Sequence, residues 1–183
     1  MIFTPKMYEA VNFAARAHDS QLRKNTGTPY ISHPFSVALI CSEFAQDEAT
    51  LIAALFHDVV EDVYKPEYSA DVIEETFGAE VIKIVLECSE DKSITDKKRR
   101  KELYLGKMEH ASQKSLTVMC ADRIHNMMSL INDSNTADVW KTFDRKGYTQ
   151  YFENSLVNFE RYFDNKTMIH VFKEKLHKLK DLV

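Results

Sequence analysis

The sequence predicts an all-α fold, and three features carry that prediction. Only 4 Gly and 4 Pro interrupt 183 residues, so few positions force the backbone out of a regular path. Between these interruptions apolar residues recur at three- and four-residue spacing, which is the helical period. Hydrophobic residues make up 44% of the chain, enough for one sizeable core, and the length suits a single domain over residues 1–183.

The first helix opens at Thr4 as N-cap, with Pro5 at the first helical position, and runs to about residue 18. Its expected inner face is Met7, Tyr8, Val11, Ala14 and Ala15. Residues 21–32 are polar, contain Gly27 and Pro29, and read as a loop. A second helix covers 34–44. A third, over 47–60, is apolar nearly all round, as a central buried helix is. Ser69 caps a short helix that stops at Gly78, and residues 79–87 resume it through Val81, Ile82, Val85 and Leu86. A strongly charged run spans 91–101; helices then reach Ala111 and cover 115–131, 146–163 and 167–182. In the last of these Ile169, Phe172, Leu176 and Leu179 form one stripe, suited to core packing or to a subunit contact in a homo-oligomer.

Composition excludes several classes of partner. With 24 basic against 28 acidic residues the formal charge is −4, so no overall cationic field draws the chain to nucleic acid or to an anionic membrane. The longest apolar stretches are too short to cross a bilayer and the N-terminus lacks a signal-peptide pattern, which predicts a cytoplasmic protein. Cys41, Cys88 and Cys120 are odd in number and widely spaced, fitting reduced thiols rather than disulfides or a thiolate zinc site.

The chemistry centres on His57-Asp58, set in the apolar string AALFHDVVED. An ionised carboxylate buried without a partner is prohibitive, and a bound dication would supply that partner. Imidazole and carboxylate donors together suit Mn²⁺, Fe²⁺, Co²⁺ or Zn²⁺ better than Ca²⁺. His33 precedes Pro34 at a loop-to-helix junction, where a ligand is held rigidly. Asp122, in the apolar stretch TVMCADRIHNM, has the same burial problem as Asp58. Glu61 and Asp62 follow His57 and Asp58 by four residues each, on adjoining helical rows if the helix continues, and so just beyond the metal. That placement suits orienting or deprotonating an attacking water.

The strings HDSQLRKNTGTPYISHP, AALFHDVVEDV, FGAEV and CADRIHNM, in that order and spacing, closely resemble the hydrolase domain of the RelA/SpoT-type alarmone enzymes. The resemblance runs from about Tyr8 to Leu130, and with no room for a synthetase region it points to a stand-alone small alarmone hydrolase. It implies a single HD-domain helical bundle that removes the 3′-diphosphate from (p)ppGpp, yielding GDP or GTP and pyrophosphate, with Mn²⁺. The family's metal ligands fall on His33, His57, Asp58 and Asp122, and its catalytic acidic pair on Glu61 and Asp62. Its nucleotide-binding residues fall on Arg23, Lys24, Asn126 and, in QYFEN, Tyr151. Within the cationic run 97–101, Arg99 is favoured as the residue that reaches pyrophosphate. Cys120, Ile124 and Val63 depart from the usual family residues without touching the ligands.

Other histidines are assigned no ligand role. His18 is expected to pack near the metal helix, His125 to support the ligands from one layer out, and His110, His170 and His177 to lie at the surface. Two alternatives stand beside the alarmone reading. One is another HD-type phosphatase, acting on nucleoside monophosphates or on the 2′-phosphate of NADPH. The other is a non-catalytic nucleotide sensor.

Overall fold

Thr4 caps the first helix through its side chain, which accepts from Met7 N at 3.1 Å, and the same hydroxyl donates to Glu48 on the third helix. The computed structural model describes residues 3–24, 26–44, 47–134 and 144–182. The described helices are α1 (Pro5–Ala17), α2 (Ser32–Glu43), α3 (Glu48–Phe56), α4 (Val59–Asp62), α5 (Ala70–Phe77), α6 (Ala79–Cys88), α7 (Lys97–Lys107), α8 (Gln113–Asp133), α9 (Arg145–Tyr162) and α10 (Lys166–Asp181). A 3₁₀ turn, Pro66–Tyr68, precedes α5, and one isolated antiparallel bridge pairs Leu22 with Pro29.

Helix α3 is the centre. Every residue from Thr50 to Phe56 is buried, and α1, α2, α6 and α8 pack around it. Phe56, Phe13 of α1 and Phe77 of α5 form a ring cluster with centroids 4.8–5.3 Å apart. Placing Phe13 there sets the rotation of α1: its inner face is Met7, Ala10, Phe13, Ala14 and Ala17, while Tyr8 and Ala15 point outward. The sequence-based face, which included Tyr8 and Ala15, is therefore corrected by about one residue of turn. Ile169, Phe172, Leu176 and Leu179 of α10 are all buried in the chain's own core, in a helix that packs on α8 and α9.

Three boundaries differ from expectation in ways that shape the site. Helix α2 starts at Ser32, so His33 and Pro34 lie in its first turn, where proline's missing N–H has no helical partner to lose. The predicted 47–60 helix is interrupted: α3 ends at Phe56, Asp58 takes φ −99° and ψ −8°, and α4 follows as one short turn. Helix α7 begins inside the charged run, because the Asp96 side chain accepts from both Lys98 N and Arg99 N. Gly78, at φ 97°, ends α5 and starts α6 in a conformation that L side chains rarely adopt.

Candidate active site

His57 and Asp58 sit where α3 passes into α4, both still in right-handed helical backbone conformation, and their side chains meet. His57 Nε2 lies 3.2 Å from Asp58 Oδ2. His33, from the first turn of α2, brings its Nε2 to 3.2 Å from His57 Nε2 and 3.5 Å from Asp58 Oδ2. Asp122 of α8 closes the remaining side, with Oδ1 3.2 Å from His33 Nε2 and 3.9 Å from His57 Nε2. Ligand atoms of His33, His57 and Asp58 all lie within 4.8 Å of one another. Two imidazole nitrogens facing each other between two carboxylates form a donor set that fits a borderline dication.

A hydrogen bond fixes each of the four side chains. His57 Nδ1–H donates to the Ala54 carbonyl at 2.8 Å, which makes Nε2 the atom that faces the cluster. Tyr30 Oη donates to Asp58 Oδ2 at 2.6 Å. Asn126 Nδ2 donates to Asp122 Oδ1 at 2.6 Å. His33 Nδ1 lies 2.8 Å from Nδ1 of His125.

The electrostatics follow from this crowding. Burial disfavours charge on Asp58, yet His57, His33 and the Tyr30 hydroxyl hold its carboxyl well below the usual range. Asp122 is likewise lowered against its burial, by His33 and His57. Burial alone would lower His57, but Asp58 and Asp122 raise it to about 9. Burial together with His33 and Arg23 pushes His125 down to about 4, so it stays neutral.

These groups open into a cleft of about 180 Å³, whose lining also includes Glu61, Asp62, Glu90, Tyr104 and Tyr151. A larger hollow of about 710 Å³ between α5, α6 and α7 includes Ile82, Leu86, Lys107 and His110, but no such cluster of donors. Glu61 accepts from Glu90 N at 2.8 Å. Lys92 Nζ reaches Glu61 at 2.7 Å and Asp62 at 3.3 Å. Burial raises the Glu61 pKa while Lys92 and the Glu90 amide oppose the shift. The loop after α6 thus supplies a lysine that sequence reasoning missed, since EDKS carries no period and Lys92 looks like one more surface charge.

The remaining candidates divide. Asn126 and Tyr151 line the cleft; the Tyr151 hydroxyl accepts from Arg123 Nη2 at 2.7 Å. Arg123 is fully buried, donates also to Ser155 Oγ and the Met119 carbonyl, and stacks near Tyr104 and Phe159. Nothing in the sequence pattern singled it out. Arg23 is half-buried in the loop before α2, over the Tyr30 ring and donating to Ser129 Oγ. Lys24 is exposed beside it. Arg99 does not join the cluster: it is 61% exposed and pairs with Glu102 on the outer face of α7. Arg100 is engaged by Glu90 and the Ile94 carbonyl. Lys101 also turns inward, its ammonium 4.6 and 4.8 Å from the ring centres of Tyr148 and Tyr151. His18 is buried, with Nδ1 against Gln21 Oε1, whereas His110, His170 and His177 are exposed.

A family model described as HD domain matches residues 10–147. The chain belongs to the HD domain family. Within it, the chain is 41% identical over 128 residues to a guanosine-3′,5′-bis(diphosphate) 3′-pyrophosphohydrolase of Homo sapiens, covering 68% of this chain and 69% of that one. The bifunctional (p)ppGpp synthase/hydrolase SpoT of Escherichia coli is 39% identical over 130 residues, which are 68% of this chain and 18% of that larger protein. A solved structure, described as a metazoan ortholog of SpoT that hydrolyzes ppGpp, superposes with a TM-score of 0.83 at 30% identity and covers 100% of this chain and 99% of its own. The all-α HD fold expected from the sequence is thus the fold found. No described helix is long and apolar enough to cross a membrane.

Proposed function

We propose that this protein is a metal-dependent pyrophosphohydrolase that removes the 3′-diphosphate of (p)ppGpp, giving GDP or GTP and pyrophosphate. The observation that carries the proposal is the convergence of His33, His57 and Asp58, with Asp122 set against both imidazoles, beside Glu61 and Asp62 in one cleft. The named activities of the human and Escherichia coli relatives support the substrate.

In this reading the two imidazoles and two carboxylates hold one dication, with Mn²⁺ the preferred ion. The dication supplies positive charge that acidifies water and neutralises the attacked phosphoryl group. Glu61 takes the proton of the attacking water; its raised pKa makes it a better base than an exposed glutamate. Lys92 holds Glu61 and Asp62 side by side, so that the base stays aimed. The water oxygen bonds to phosphorus, the bond from phosphorus to the ribose 3′ oxygen breaks, and the proton taken up by the Glu61–Asp62 pair is returned to that oxygen as it leaves. Arg23 stacks on the guanine and Lys24 meets phosphate, while Asn126 and Tyr151 bound the nucleoside side of the cleft.

The test is pyrophosphate release from ppGpp by metal-stripped protein with and without Mn²⁺, with NADPH and GMP in parallel. Mn²⁺-dependent pyrophosphate with GDP as co-product is expected. Orthophosphate from NADPH or GMP alone would retain the metal site and reassign the substrate.

A further inference from the structure

We infer that His125 is a positioning residue that fixes the tautomer of His33, by accepting the Nδ1 hydrogen that His33 must carry to offer Nε2 to a metal. The inference rests on the metal reading above.

A neutral imidazole has one hydrogen and one lone pair on its two nitrogens. His33 Nε2 is the atom that faces His57, Asp58 and Asp122. For that nitrogen to present a lone pair, the hydrogen must sit on Nδ1, and Nδ1 needs an acceptor. His57 solves the same problem with the Ala54 carbonyl, which can only accept. His33 has instead a second ring, with the two Nδ1 atoms 2.8 Å apart and the rings tilted at 47°. The arrangement works in one way: His125 accepts on Nδ1 and keeps its own hydrogen on Nε2. The reverse assignment would aim an N–H of His33 at the metal position. His125 meets the far edge of His33 from Nε2, so it acts through His33 rather than as a ligand. The Tyr30 ring holds another flank of His33, edge-on at 5.8 Å, leaving His125 to set the hydrogen.

The experiment compares Mn²⁺ binding by calorimetry to wild type, His125→Asn, His125→Leu and His125→Phe. Asparagine places Oδ1 near the position of Nδ1 and can accept; leucine and phenylalanine fill space without accepting. Wild type and His125→Asn should bind one Mn²⁺ with similar affinity, and the apolar variants about 10- to 100-fold more weakly, the scale for losing a ligand's supporting hydrogen bond. Excess Mn²⁺ should restore ppGpp turnover to the apolar variants. If leucine misfolds by circular dichroism, phenylalanine, which retains a ring, carries the comparison. Equal affinity in all four proteins would overturn the inference, as would equal losses in asparagine and leucine, which would mark His125 as packing only. Wild type that binds no dication would overturn the metal reading and this inference with it.

Discussion

Tyr30 donates its hydroxyl to the Asp58 oxygen that also lies 3.2 Å from His57 Nε2, so a loop residue orients a carboxylate carried by the α3–α4 break. Tyr30→Phe keeps the ring and deletes that bond. Mn²⁺ affinity should fall by about 10-fold or more, read by calorimetry, with the helical content unchanged.

Glu61 and Lys92 form the next pair to separate. Glu61→Gln should retain the metal but cut turnover by roughly 10²-fold or more, the scale of general acid-base help. Lys92 favours the ionised form of Glu61, against the burial that raises its pKa. Removing the ammonium in Lys92→Met therefore raises that pKa further. Because a base acts only when ionised, the acid limb of the turnover profile should move to higher pH, which a pH series of initial rates will show.

On the proposed metal reading, proton and metal compete for His57. Its neighbours raise it to about 9, so below that pH the metal-free protein holds a proton that binding must expel. Mn²⁺ affinity should climb between pH 6 and 9 and level off above, in calorimetric titrations across that range.

Among the described residues Arg123 is one of the largest fully buried side chains, and its guanidinium joins α8 to Ser155 and Tyr151 of α9. Arg123→Met should cost about 1–3 kcal/mol, the scale for leaving a buried hydrogen-bonding group unpaired, as measured by urea unfolding.

Lys101, unlike Arg99, lies over the ring of Tyr151, which lines the cleft. Lys101→Met should raise the KM for ppGpp about tenfold, the scale of one charge-assisted hydrogen bond, while Arg99→Met should leave it near wild type. Steady-state kinetics on both variants checks the contrast.

Most helices were legible because their signals are local: Thr4-Pro5, Ser69 and Gly78 act within one turn of themselves. The His57-Asp58 pair was legible because charge in an apolar run demands a reason. The break between α3 and α4 was not, since nothing in FHDVVED distinguishes a turn from a continuing helix. The roles of Tyr30, Lys92 and Arg123 depend on partners 28 to 32 residues away, and one sequence holds no record of such pairings. The choice of Lys101 over Arg99 required the rotation of α7, which a run of five cations conceals.

The four converging side chains come from α2, the α3–α4 break and α8, separated by 24 and then 64 positions along the chain. No short segment can assemble them, so an ion held there reports on the whole helical assembly at once. Any opening that peels α2 from α8 releases the ion, and the ion in turn resists that opening; at one hundred times its dissociation constant the resistance is about 2.7 kcal/mol. The supply of metal would then set the lifetime of the folded chain, as well as its turnover.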